Sequence, residues 1–221
     1  IEVKQGPYVE GKDKKIIVDI GANIGLFTFY AKIKFPNSKI FSVEANPDNF
    51  KILEKNINEN GLNDYVKVFN NVCSSFRGKQ PFYLSTNPGW SSSYNKRGAE
   101  NGEMIYLEPL SLSKLFQLNN INRVDVLKID IEGADKLILN DLLKNNILSE
   151  NLSVECHEPE VLKLLLNSKF KSFKFVEGSD AIFKKNIEVI NKLKKKYIIN
   201  FDIHSSGPYG EDIPGNYYNK D

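Results

Sequence analysis

From Ile16 to Gly25 the chain reads Ile-Ile-Val-Asp-Ile-Gly-Ala-Asn-Ile-Gly, an apolar, β-branched run that carries an acid and passes through two glycines into a helical pattern. Parallel α/β sheets build nucleotide pockets at such strand-to-helix turns. Glycine lets backbone approach a ligand closely, and the helix that follows turns its free N–H groups and positive dipole end toward it. Asp19, Gly21, Ala22, Asn23 and Gly25 are therefore the first candidate cofactor residues. The spacing Gly21-x-x-x-Gly25 behind an acid departs from the dinucleotide pattern G-x-G-x-x-G, which wants a third glycine and no acid beside a pyrophosphate. A cationic, phosphate-free adenosine ligand suits this turn, and S-adenosylmethionine is the one it points to.

The rest of the chain alternates strand and helix patterns. Ile16–Ile20 reads as a strand covered on both faces, and Ile24, Phe27, Thr28 and Ala31 recur at helical spacing until Pro36 and Asn37. Lys39–Glu44 is the second predicted strand, and Pro47, Asp48, Phe50, Leu53 and Ile57 mark a helix that stops by Gly61. Val66–Asn70 is the third. Between Asn71 and Pro109 the alternation breaks, and Pro81–Leu84 and Met104–Leu107 predict a hairpin-like excursion around a Ser-, Gly- and Asn-rich tip. Ser111–Leu118 reads as a helix, Val124–Asp130 as the fourth sheet strand, Asp135–Leu143 as a helix, Leu152–Cys156 as the fifth strand and Pro159–Leu166 as a helix. Phe170–Glu177 and Ala181–Lys185 predict a closing antiparallel pair across Gly178, and the tail from Phe201 looks irregular. The expectation is one domain over 1–221, with a seven-stranded mixed sheet and helices on both faces.

Chemistry-bearing residues gather at predicted strand ends. Glu44 lies 44 − 19 = 25 residues after Asp19, where a carboxylate can accept both hydroxyls of a ribose, and Ala45 and Asn46 follow it into the same turn. Lys128-Ile-Asp130-Ile-Glu132-Gly133 forms a second block. Residues two apart share a strand face, so Lys128 and Asp130 lie together, and a lysine in an apolar strand needs a carboxylate such as Glu155 or Asp130 unless it acts directly in catalysis. Glu155 and His157 share a face by the same period. With the fourth and fifth strands adjacent, Asp130, Glu132, Glu155 and His157 would converge on one point, either as a general base for an alcohol or as a divalent-cation site. No resident metal is expected.

Taken in order, the segments DIGANIG at 19–25, VEANP at 43–47, LKIDIEGAD at 127–135 and VECHE at 154–158 resemble the FkbM-type family of S-adenosylmethionine-dependent methyltransferases. The resemblance covers about 14–185 and leaves 186–221, a basic segment and an irregular tail, without a family pattern. It implies a Rossmann-like class I methyltransferase fold and S-adenosylmethionine as cofactor, with S-adenosylhomocysteine as product. Methylation of a hydroxyl oxygen on a saccharide or other small molecule is likewise implied. It also implies that the adenine is held after the third strand, at Asn70, Asn71 and Val72. In such an enzyme Trp90 and Tyr94, in the segment 86–94, would serve a lid or acceptor loop by stacking on sugar rings. The alternatives are a nicotinamide-dependent oxidoreductase, opposed by the missing third glycine, and a cofactor-binding partner subunit without turnover.

Composition removes other classes. A net charge of +2 gives no global basis for nucleic-acid binding, and the lysines at 184, 185, 192 and 194–196 read as a solvated helix face. Two cysteines, Cys73 and Cys156, predict buried free thiols, and two histidines make no zinc constellation. No run has the length of a transmembrane helix and no signal-peptide pattern opens the chain, so the expected location is cytoplasmic. The chain starts at Ile1 and its one methionine is Met104, so a natural N-terminus trimmed or left out is expected.

Overall fold

The computed structural model describes residues 13–85, 103–131, 134–145, 147, 149–155, 161, 164, 172–177 and 198–203. Its elements run β1 (Ile16–Ile20), α1 (Leu26–Lys34), β2 (Lys39–Val43), α2 (Pro47–Glu59), β3 (Val66–Phe69), β4 (Gln80–Tyr83), β5 (Met104–Leu107), α3 (Leu112–Leu118), β6 (Val124–Ile129), α4 (Asp135–Lys144), β7 (Ser149–Glu155), β8 (Ser172–Glu177) and β9 (Ile198–Ile203). Seven strands form one sheet in the order β3-β2-β1-β6-β7-β8-β9, and β4 and β5 pair antiparallel in a ribbon of their own.

Alternation along the central strands divides the core between two helical layers. Ile17, Ile40 and Val126 pack with Phe27, Ala31, Leu53 and Ile57, so α1 and α2 cover one face. Val18, Phe41 and Leu127 pack with Leu115, Phe116, Leu139 and Leu142, so α3 and α4 cover the other. A strand buried on both sides must be apolar at successive positions, as Ile16–Ile20 is. Asn46 caps α2 by accepting from the N–H groups of Asp48 (2.9 Å) and Asn49 (3.4 Å), and Ser111 caps α3 through the N–H of Lys114 (3.1 Å). Each side chain satisfies amides that the first helical turn leaves open.

The α/β class with helices on both faces is the expected one, but the closing strands run differently. Every strand pairing of the large sheet among the described residues is parallel, including β7 with β8 and β8 with β9. Among the described residues no antiparallel pair joins this sheet, where a mixed one was expected. Residues 172–177 pair with 198–203, and Ile198–Ile203 overlaps the tail expected to be irregular, while Gly178 lies outside the described residues. The intervening 197 − 177 = 20 residues suffice for a parallel crossover, which needs a dozen or more. The expected helix at 159–166 and the strand at 181–185 fall largely or wholly outside the described residues.

Cys73 is a buried free thiol, and burial pushes its ionisation well above the ordinary thiol value. Cys156 lies outside the described residues. No helix among the described residues is long and apolar enough to cross a membrane.

Candidate active site

The strand order reverses between β1 and β6, since β1 continues toward β2 and β3 while β6 continues toward β7. Open α/β sheets bind ligands at such a switch point, outside the carboxyl ends of the strands. Gly21 follows β1 there and Asp130 follows β6. The two are in register through Ile20 and Ile129, and the Asp130 N–H donates to the Ile20 carbonyl at 3.0 Å.

The turn after β1 is tied to the protein at every amide. Gly21 and Ala22 both donate to the Val43 carbonyl (2.9 and 3.0 Å), and Gly25 donates to Ala22 (2.9 Å). Asn23 donates to Glu44 Oε2 at 2.7 Å, and Ile24 donates to the Asn23 side-chain oxygen at 2.8 Å. These five amides are bonded within the protein, whereas the first-turn amides of α1, where the sequence expectation lay, begin at Leu26. Gly21 has φ +78, and a Cβ on it would stand 1.7 Å from the Asp130 carbonyl oxygen. The glycine is required because two strand ends meet there. Gly25 caps α1 with φ +100 and lets Leu53 of α2 come close.

Asp19 and Asp130 share one ammonium but differ in access. Lys128 Nζ donates to Asp19 Oδ1 at 3.2 Å and to the Gly21 carbonyl at 2.9 Å, and lies 3.2 Å from Asp130 Oδ2. The second oxygen of Asp19 accepts from the Thr28 hydroxyl at 2.7 Å, and Thr28 also contacts the Ser42 hydroxyl at 2.8 Å. Asp19 is 0% exposed, whereas the Asp130 side chain is 42% exposed. Asp19 was expected to face a cofactor, and its geometry is that of a buried counterion beneath the turn. Burial alone would lower the Lys128 pKa, but the carboxylates of Asp19 and Asp130 outweigh it and hold the ammonium above the ordinary lysine value. The expected lysine–carboxylate pairing thus exists with Asp130, joined by Asp19.

Glu44 sits at the end of β2 with 7% exposure. Besides the Asn23 amide on Oε2, its Oε1 accepts from the Asn46 N–H at 2.7 Å. Burial raises its pKa, opposed by these two amides and by the Lys128 charge. The Asn70 side-chain amide donates to the carbonyls of Glu44 (2.9 Å) and Ala45 (3.1 Å) and so clamps the backbone that aims this carboxylate. Asn46 is the α2 cap described above, and Asn71 donates to the Glu108 carbonyl at 3.0 Å. Val72 is buried, bridges Pro109, and accepts from the Leu110 N–H at 2.9 Å.

Two positions were not read for what they do. Thr28 looked like one more residue of a helical stripe, and Asn70 like part of an adenine site. An available signal was the count of nine residues from Asp19 to Thr28, which carries the chain from the strand into the first turn of α1, back over Asp19. Of the acids proposed around the reacting atoms, β7 brings Glu155 to the carboxyl edge beside Asp130, because Val154 pairs with Ile129. Glu132, His157, Trp90 and Tyr94 lie outside the described residues. Among the described residues no three carboxylate, thiol or imidazole groups gather as a metal site.

The methyltransferase FkbM domain family matches residues 19–176. Methyltransferase sdnD of Sordaria araneosa is 30% identical over 176 residues, covering 66% of this chain and 68% of that protein. Methyltransferase 1 of Beauveria bassiana (strain ARSEF 2860) is 29% identical over 182 residues, covering 71% of this chain and 72% of the other. Among solved structures, methyltransferase FkbM from Methylobacillus flagellatus KT overlaps with a TM-score of 0.40 at 12% identity. That overlap spans 90% of this chain and 41% of the solved one, and is too loose to support any further statement.

Proposed function

This chain belongs to the FkbM-domain methyltransferase family, and on that premise we propose that it transfers the methyl group of S-adenosylmethionine to a hydroxyl oxygen of a saccharide or other small-molecule acceptor, within a single methyltransferase domain. The observation that carries the choice of cofactor is the internally satisfied turn Gly21–Gly25 between two acids. A dinucleotide's pyrophosphate lies against the backbone of a glycine-rich turn, and here the five amides of Gly21–Gly25 are bonded to protein acceptors. A sulfonium nucleoside needs no such cradle and is attracted by nearby carboxylate.

The residues fit that ligand. A carboxylate has about four lone-pair positions, and the amides of Asn23 and Asn46 occupy one on each Glu44 oxygen, so both oxygens can still accept a ribose hydroxyl. Ala45, Asn46, Asn71 and Val72 would frame the adenosine. Ala22, Asn23 and Gly25 would form the floor, with Gly21 and Asp19 holding it from below. When bound, the cofactor supplies an activated methyl on a positively charged sulfur. The chain must then align the acceptor oxygen and remove its proton as the new C–O bond forms. Asp130 offers a part-exposed carboxylate at the switch point, and Glu132, Glu155 and His157 are the other candidates for that proton.

Calorimetry should find binding of S-adenosylhomocysteine and no comparable affinity for NAD or NADP; the reverse ranking would end this reading. Labelled S-adenosylmethionine offered with glycans, lipids and cell extract identifies the acceptor, and binding without any turnover would favour the partner-subunit alternative. Once an acceptor is known, His157→Ala should lose roughly 100-fold to 10,000-fold in turnover, the contribution of a general base, with cofactor affinity kept. Normal turnover in that variant moves the base role to Asp130 or leaves catalysis to positioning.

A further inference from the structure

Lys128 is a buried cation inside a central strand, and its three contacts account for its three N–H donors: Asp19 Oδ1 at 3.2 Å, the Gly21 carbonyl at 2.9 Å and Asp130 Oδ2 at 3.2 Å. No donor remains for a ligand, and at 8% exposure the side chain scarcely meets solvent. It joins three points that a cofactor at the switch point would touch or rest on: the buried acid beneath the turn, the turn's own backbone, and the open acid after β6. We propose that Lys128 is a positioning residue for the transfer reaction, holding the Asp130 carboxylate at a set distance from the Gly21 turn so that it faces the cofactor. The inference rests on the cofactor reading above.

The argument is electrostatic as well as geometric. Asp19 and Asp130 are brought to one ammonium from neighbouring strands, and without that cation two carboxylates would repel across a poorly solvated gap. Asp19 cannot move, since Thr28 holds its other oxygen and the core surrounds it. Asp130 lies past the end of β6 with its side chain 42% exposed, so it is the more accessible of the two partners. Removing Lys128 should therefore displace the acid that serves the site and leave the buried one behind.

The test is a double-mutant cycle in the full chain, with S-adenosylhomocysteine affinity read by calorimetry for wild type, Lys128→Met, Asp130→Asn and the double variant. Each single change should weaken binding by roughly tenfold to a hundredfold, the worth of one charge-assisted hydrogen bond. The double variant should be little weaker than either single one, because both remove the same contact. A Lys128→Met loss that persists undiminished in the Asp130→Asn background overturns the proposal, since that is the pattern of a purely structural lysine. A ligand-free arm separates this from the cofactor reading: the Asp130 carboxyl carbon, followed by NMR, should titrate at higher pH in Lys128→Met than in wild type. That shift in a chain that binds no adenosyl ligand would sink the cofactor reading and with it the role toward the cofactor, leaving only the Lys128–Asp130 ion pair, whereas an unmoved Asp130 titration rejects the positioning role even where the ligand binds. Should Lys128→Met fail to fold, Lys128→Arg keeps the charge but moves its donors and must give the same non-additive pattern in smaller measure.

Discussion

The carboxyl ends of β1 and β6 each bring an aspartate to the same ammonium, yet one end is sealed and the other open. Asp19 stands one residue inside its strand, opposite Lys128 in the register, and α1 closes over it with Thr28. Asp130 stands one residue beyond its strand, and its side chain is 42% exposed. A difference of two positions relative to the strand end converts the same side chain from a structural counterion into a candidate ligand group. A buried charge stays ionised only when paired and hydrogen-bonded, and Asp19 meets that condition with protein atoms alone.

The severest way to break this comparison is at the point where the two ends touch. Gly21→Ala places a Cβ against the Asp130 carbonyl at a positive φ, so it should cost roughly 3–5 kcal/mol or prevent folding, at the upper end of single substitutions. A denaturant melt reads this, and a stable Gly21→Ala variant with weakened cofactor binding would return Gly21 to the role of a ligand-contacting residue.

Next in size are the two acids themselves. Asp19→Ala strips the deep partner from a buried lysine and should destabilise by about 3–5 kcal/mol, while Asp130→Asn should leave the melt nearly unchanged and act on cofactor affinity. Equal stability losses would erase the distinction between the sealed and the open end. The pH dependence has a definite sign: the folded Lys128 pKa lies above its unfolded value, so its stabilisation is fully present below the ordinary value of 10.5 and is lost as pH rises through the folded one. Asp19→Ala should lessen that alkaline loss.

Glu44 offers a smaller effect. Glu44→Ala should weaken S-adenosylhomocysteine binding by about 1.5–3 kcal/mol and also lower stability, because the Asn23 and Asn46 amides lose their acceptor. Its raised pKa means that the folded state takes up a proton more readily than the unfolded one, so stability falls as pH rises from 4.5 through the folded value. Cofactor affinity should do the opposite, failing on acidification already above 4.5 as the ribose acceptor is protonated. Affinity that is flat with pH through that window would remove Glu44 from the ribose.

The smallest expected change is Asn70→Ala, which frees the Glu44–Ala45 backbone and should cost about 1 kcal/mol in affinity. A larger loss in turnover than in affinity would show that the clamp sets geometry more than binding.

The local pattern of residues determined the order of most elements and singled out the place of the candidate site. An apolar β-branched run, two glycines and a helical stripe specify a strand, a turn and a helix through short-range sterics and hydrophobic period, and a parallel α/β sheet follows from repeating them. Glu44 and Asp130 were legible for the same reason, as acids at the ends of strands. What each acid is bonded to was decided by the tertiary structure. Whether Asp19 faces a ligand or Lys128 depends on a partner 109 residues away, and whether Gly21 spares room for cofactor or for backbone depends on how closely β6 approaches. The direction of the last two strands also escaped the pattern, because a short apolar run reads the same in a hairpin as after a long crossover. Periodicity reports which face a residue occupies, and only the packed neighbours decide what meets it there.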